Sequence, residues 1–186
     1  MKLVFHPLTP VRWRDFERLF GPKGACAGCW CMWWRLSPRE WKAGRGAKNK
    51  RAMKRLVESG DAPGLLAYDE GESVGWCCVT PRETLPRLEH SRTLKRIDDQ
   101  PVWSVACFFV RSDYRSKDVS VALLAAAARY AKSKGGRIVE GYPVDWGDKR
   151  WPSAWGYTGF VDAFRRAGYR EVARPAKTRP IMRRRA

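Results

Sequence analysis

Between Trp103 and Gly141 the spacing of apolar positions switches from a continuous run to a helical repeat and back, and each switch predicts an element. Trp103-Ser104-Val105-Ala106-Cys107-Phe108-Phe109-Val110 is β-branched and aromatic, and short enough for a strand buried on both faces. A polar turn follows, Arg111-Ser112-Asp113-Tyr114-Arg115-Ser116-Lys117-Asp118. From Val119 the residues Ala122, Leu123, Ala126, Ala127, Tyr130 and Ala131 recur at helical spacing until Gly135 and Gly136 close the helix. Arg137 to Val144 reads as the next strand and Phe160 to Tyr169 as a further helix. A strand feeding a helix through a basic turn aims unpaired N–H groups and the positive helix end at one point, which suits a pyrophosphate.

The N-terminal half carries its own signals. Lys2 to Phe5 is predicted as an edge strand. Thr9 to Phe20 predicts a helix, with Thr9 as cap, Pro10 in the first turn, Trp13, Phe16, Leu19 and Phe20 on one face, and Gly21-Pro22 as the stop. Ser37-Pro38-Arg39-Glu40 is a capping box with proline in the first helical position, so a helix should run toward Glu58, with Gly44 and Gly46 as candidate breaks. Gly64 to Tyr68 and Ser73 to Thr80 should form a hairpin about Asp69-Glu70-Gly71-Glu72. The polar stretch from Pro81 to Gln100 reads as a loop with a short helix near Leu88 to Lys95. With no internal repeat and no linker, residues 1–186 read as one domain.

The segment from Trp103 to about Arg183 resembles the GNAT superfamily of N-acetyltransferases, which hold acetyl-coenzyme A in such a strand-turn-helix. The family's turn reads Arg/Gln-x-x-Gly-x-Gly/Ala. Arg115-Ser116-Lys117-Asp118-Val119-Ser120 stands in that frame, with Asp118 and Ser120 where the family has its small residues, and Ala167-Gly168-Tyr169 matches the end of the family's last helix. The resemblance implies an α/β (α+β) fold: a mixed, mainly antiparallel sheet of about six or seven strands, flanked by helices and splayed at the cofactor site. It implies acetyl-coenzyme A as cofactor, its pyrophosphate on the N–H groups from Ser116 to Ser120 with Arg115 and Lys117 supplying charge, and its pantetheine arm along Phe108, Phe109, Val110 and Arg111. A carboxylate at Asp118 is unfavourable there unless it turns away, for instance as the cap of the helix. The plainer reading of the same residues is a basic turn that caps a core helix.

Composition and charge widen the choice of partner. The 186 residues, 44% apolar and 12% aromatic, suffice for one packed core. Against 19 acidic residues stand 37 Lys and Arg, a formal charge of +18 that exceeds what a coenzyme site uses. The excess is spread over Lys42 to Arg55, Arg82 to Arg96, Arg111 to Lys117 and Arg165 to Arg185. Such a surface attracts polyanions, so RNA contact, or an aminoacyl-tRNA acceptor, stands beside a surface that is merely solvated. The apolar residues of Lys2 to Phe5 are too few for a signal peptide, and the longest uncharged runs, Pro101 to Val110 and Val119 to Ala128, fall far short of the roughly 18 residues of a membrane span. Six cysteines, two of them adjacent at Cys77 and Cys78, read as reduced thiols. The expectation is a cytoplasmic protein that does not engage membranes, and the family resemblance adds a homodimer as a candidate assembly.

Direct attack by an amine needs the amine neutral, a donor for the oxyanion and an acid for the leaving thiolate. The resemblance implies an N–H within Cys107 to Val110 for the oxyanion, and it places Phe164 where the family has its tyrosine acid. Tyr157 and Tyr142 are the substitutes; Glu140 and Asp145 are the best-placed bases, with Asp98, Asp99 and His90 behind them. Half-buried tyrosines and surface ion pairs are the plain alternatives. In the loop Cys26 to Arg35, three cysteines have ligand-like spacing, but a structural zinc wants four ligands and no second pair follows, so no metal is expected. Trp30, Trp33 and Trp34 divide between core packing and the wall of an acceptor site, where one could hold a cationic or aromatic acceptor by π contact. Neither a phosphate-loop motif nor a Gly-x-Ser-x-Gly elbow occurs. Two classes remain: an acetyl-coenzyme A-dependent N-acetyltransferase acting on a primary amine, and a basic non-catalytic module in which Asp118 and Phe164 mark lost chemistry.

Overall fold

The computed structural model describes residues 1–147 and 156–186. Among these residues seven strands, numbered in chain order with the ranges that follow, form one sheet in the order β1-β2-β3-β4-β5-β7-β6. Antiparallel pairing joins β1 (Val4–Pro7), β2 (Gly64–Asp69), β3 (Glu72–Pro81) and β4 (Trp103–Val110). β5 (Ile138–Gly141) lies parallel to β4, and β6 (Arg170–Ala176) and β7 (Arg179–Arg185) complete the far side antiparallel. The mixed, mainly antiparallel sheet implied by the resemblance is present.

The central strands are apolar on both faces because helices cover both. On one side α5 (Val119–Ser133) packs Leu123, Leu124 and Ala127 onto Leu65, Cys77, Val105 and Val139. On the other, α1 (Trp13–Phe20) and α3 (Ala47–Glu58) bring Phe16, Phe20 and Met53 against Leu66, Trp76 and Cys78. Alternation along β3 thus sends the adjacent Cys77 and Cys78 to opposite faces. Each fully buried large side chain here contributes about 1.5–3 kcal/mol relative to exposure. Gly75 lets the start of α5 sit directly on β3: a Cβ there would meet Val119 Cγ1 at 2.9 Å.

Local signals set most boundaries. The capping box forms in full: Glu40 N–H donates to Ser37 Oγ, and Ser37 N–H donates back to Glu40. The helix breaks at Gly44 into α2 (Pro38–Ala43) and α3. The Thr9 hydroxyl makes no capping bond, and a 3₁₀ turn over Pro10–Arg12 leads into α1 instead. The short helix of the polar stretch is α4 (Pro86–Glu89), earlier than the expected Leu88 to Lys95, because Pro86 takes the first helical turn. The strand expected over Arg137 to Val144 stops at Gly141, where the Phe164 ring occupies the space of a Cβ. Phe164 belongs to α6 (Val161–Arg166).

One feature of the sheet shapes the site. β4 pairs with β5 only over Trp103 to Val105, matched with Val139 to Gly141. From Ala106 to Val110 that edge has no strand beside it among the described residues, so the sheet opens toward the turn that precedes α5.

Candidate active site

Backbone alternation decides which groups face this gap. Arg111 N–H donates to Val74 O at 3.0 Å, so the N–H groups of Cys107 and Phe109 point to β3 and those of Phe108 and Val110 point to the open side. Residues 156–160 enter the opening. Phe108 N–H donates to Tyr157 O at 2.6 Å, and Val144 N–H to Gly159 O at 2.9 Å. Trp34 reaches the closed end, where its Nε1 donates to Ala106 O at 2.9 Å and its ring centre lies 6.5 Å from that of Tyr157. At the outer end Arg115 Nε approaches Val110 O at 3.4 Å. Among the described residues the edge from Phe108 to Arg111 therefore leaves Val110 N–H without an acceptor, while the N–H groups of Phe108 and Arg111 are engaged within the protein.

The turn before α5 is wound to expose its amides. Ser116 and Asp118 both adopt left-handed backbone, with φ of 59° and 58°, and Asp118 does so where the family has its first glycine. Such backbone costs a residue with a Cβ about 1–2 kcal/mol. Among the described residues the N–H groups from Ser116 to Ser120 donate to no acceptor, and the first helical bond is Ala122 N–H to Asp118 O. Successive amides in such a turn make a concave anion site, reinforced by the positive end of a 15-residue helix. Tyr114 ties the turn to the β2–β3 hairpin by donating to Asp69 at 3.0 Å, and its ring carries Lys117 Nζ at 5.1 Å.

Asp118 does not cap the helix with its side chain. Arg166 of α6 grips both oxygens at 2.7 and 2.5 Å instead. That contact holds the carboxyl below its usual range. The cradle consequently fits a diphosphate: among the described residues its amides lack acceptors, and the Asp118 carboxylate is paired with Arg166.

Glu140 and Tyr142 sit elsewhere, in a buried clamp. Glu140, 1% exposed, accepts from Arg82 Nη1 at 2.9 Å, from the Tyr142 hydroxyl at 2.7 Å and from Arg183 Nε at 2.7 Å. Arg82 is fully buried and also donates to Glu89 at 2.5 Å and Leu94 O at 2.6 Å. The Tyr142 hydroxyl lies 2.8 Å from Ser104 Oγ, and burial followed by the Glu140 charge pushes its phenol far up. These bonds lock the loop 82–98 onto β5 and β7, with Arg183 also holding Asp98 at 2.5 and 2.9 Å. Asp145 is half-buried and accepts from Arg174 at 2.8 Å, which holds its carboxyl low. Of the four sequence candidates Tyr157 is the one whose backbone and ring line the gap, and burial pushes its phenol up. Phe164, at the position of the family's acid, is fully buried against Phe108 and Tyr169.

The three tryptophans part ways. Trp30, 3% exposed, stacks on Phe20 and Trp13 in the core. Trp33 already carries a cation, since the Arg87 guanidinium lies 3.4 Å from its ring centre. Trp34 lines the gap. In the same loop Cys26 is exposed and Cys31 is buried, accepting from Trp76 Nε1 at 3.2 Å. Among the described residues no group of three or more His, Cys, Asp or Glu is placed to hold a metal, and no helix is long and apolar enough to cross a membrane. Arg82, Arg87 and Arg179 stand in no motif and are marked in the sequence only by a diffuse basic composition and, for Arg82 and Arg87, a preceding proline. Two cavities, of about 330 Å³ beside His6 and Tyr68 and about 520 Å³ between Glu17 and Lys50, lie apart from the gap at the β1 edge and between α1 and α3.

Residues 30–143, more than half of the chain, match the family model described as the acetyltransferase (GNAT) family. No curated protein matches the chain in sequence. Similar solved structures include the PaiA N-acetyltransferase of Thermoplasma acidophilum in complex with coenzyme A, 12% identical over 100% of both chains with a TM-score of 0.55. The polyamine N-acetyltransferase of Drosophila melanogaster is 12% identical over 100% of both chains at 0.59. A GNAT-family acetyltransferase from Listeria monocytogenes is 8% identical over 99% of this chain and 95% of its own, also at 0.59. Identities this low carry the fold, and the family model carries the membership: the chain belongs to the GNAT family of acetyltransferases.

Proposed function

We propose that the protein is an acetyl-coenzyme A-dependent N-acetyltransferase acting on a primary amine. The carrying observation is the row of amides from Ser116 to Ser120, without acceptors among the described residues, at the positive end of α5 and beside an open strand edge. Acetyl-coenzyme A supplies an activated acyl carbonyl and a thiolate leaving group. The amides and Lys117 would hold its diphosphate, and Val110 N–H is the strand donor available to polarise a carbonyl. Tyr157 is the acid: its raised pKa keeps the phenolic proton in place at neutral pH, ready for a developing thiolate. Glu140 and Asp145 are committed to arginines. Nearby positive charge, from Arg87 and Arg179, favours loss of the acceptor's proton to solvent before attack. Calorimetric titration with coenzyme A tests the reading; no heat and no thermal shift at millimolar ligand would end it.

One observation favours a second reading. The Phe108 N–H is closed by Tyr157 O, and the family's acid position is core, as in a module that keeps the fold and binds without turnover. Coenzyme binding with no acetyl transfer to any amine in a broad panel would select it. The charge of +18 extends either reading to RNA contact, which would show as steep salt dependence in a gel shift.

A further inference from the structure

We propose that the acceptor is a small amine that also carries an anionic group, a carboxylate or phosphate, which docks on Arg87 and Arg179 beside Tyr157. The inference rests on the reading of this gap as an acetyl-transfer site and names the class of its second substrate.

Among the described residues two arginines at the gap, Arg87 and Arg179, and a third next to Trp34 in sequence, Arg35, have no carboxylate partner. Arg87 lies flat on Trp33, its Nη1 shielded from water and bonded to no acceptor, and its backbone N–H donates to Trp34 O at 3.1 Å. Arg179 donates to Thr158 Oγ1 at 3.1 Å, one residue from Tyr157. Arg35 donates to Thr84 O at 3.3 Å, while its Nε is buried without a partner. Among the described residues none of the three has an acidic partner, whereas Arg82, Arg96, Arg111, Arg166, Arg174 and Arg183 all do. Both Arg87 and Arg179 act on the Tyr157 phenol, opposing the rise that burial imposes. Burial also draws the Arg87 guanidinium down from its usual value, with only Tyr157 and Cys29 acting in the other direction.

A half-buried guanidinium without an acceptor is under-compensated, and an arriving anion would supply the missing bonds. The same charges repel a polycation. Trp33 cannot hold an acceptor's ammonium on the face that Arg87 already covers. The gap is therefore matched to an amino acid or an aminoalkyl phosphate and mismatched to a polyamine.

The test has two independent readouts. Tryptophan fluorescence titrations, without acetyl donor, use β-alanine, 2-aminoethyl phosphate and spermidine as probes; a rate assay with acetyl-coenzyme A compares panels of amino acids, aminoalkyl phosphates and polyamines. Quenching by at least one anionic probe and not by spermidine is expected, with transfer to that anionic class preferred; whichever of the two anionic arms responds identifies the group. Arg87→Met should raise the Kd and KM of anionic acceptors by about 10- to 100-fold, the loss of one charge-assisted contact, and leave coenzyme A affinity unchanged. Preferred transfer to polyamines, coenzyme binding with no anionic amine bound or accepted, or indifference of anionic acceptors to Arg87→Met would each overturn this inference alone. Absence of any coenzyme A heat would instead overturn the acetyl-transfer reading beneath it.

Discussion

Replacing Arg82 with methionine separates a structural Glu140 from a catalytic one. Arg82 is fully buried and Glu140 is 1% exposed, so the substitution removes the guanidinium from a carboxylate that water cannot reach. Breaking a buried pair by deleting one partner costs about 3–5 kcal/mol. Arg183 Nε and the Tyr142 hydroxyl stay on Glu140, which argues for the lower end, about 3 kcal/mol. Against a total stability of about 5–15 kcal/mol that loss is easily read in urea unfolding followed by tryptophan fluorescence. The double variant Arg82→Met with Glu140→Leu should recover at least half of it, because no carboxylate is then stranded and Arg183 keeps Asp98. Glu140→Gln, corrected for folded fraction, should hold kcat/KM within about threefold, whereas loss of a general base costs about 10²–10⁴-fold. A loss under about 1 kcal/mol in Arg82→Met, or a catalytic collapse of a folded Glu140→Gln, would refute the clamp.

Tyr157→Phe should lower kcat by about 10²-fold with coenzyme A affinity unchanged in calorimetry, and the wild-type rate should fall with pH only above the usual tyrosine range near 10, since burial raises this phenol; an unchanged kcat removes the residue from the mechanism. Asp118→Ala releases Arg166 toward the diphosphate and should tighten coenzyme A by about threefold at low salt, an effect that high salt erases; weaker binding would mean the ion pair holds the turn in shape. Contacts with Arg183, Arg174 and Arg174 respectively hold Asp98, Asp145 and Glu171 below their usual pKa values. Their stabilisation is therefore complete above the ordinary carboxylate range near 4 and is lost as pH falls through their lower folded values. Melting temperature should be level from about pH 7 to 5 and drop below about 4, with a shallower drop in Asp98→Asn; a rise on acidification would contradict the sign.

What the sequence showed and what it hid follow from the reach of the interactions. Strand β4, the turn and α5 were legible because period, capping and glycine stops act within a few residues of one another. The hairpin of β6 and β7 was hidden, since Arg170 to Arg185 is dense in charge and its turn, Lys177-Thr178, has no glycine or proline. Glu140 looked like a base from its place in the strand that follows the cofactor turn and helix, yet its partners Arg82 and Arg183 come from 58 and 43 residues away. The same distance conceals the gap itself: Trp34, Arg87, Tyr157 and Arg179 meet only once β4 and β5 have separated. A residue's role in this site is set by which charges its neighbours have already neutralised. Asp118 illustrates the point, unfavourable beside phosphate in isolation and harmless once Arg166 of a later helix takes both its oxygens.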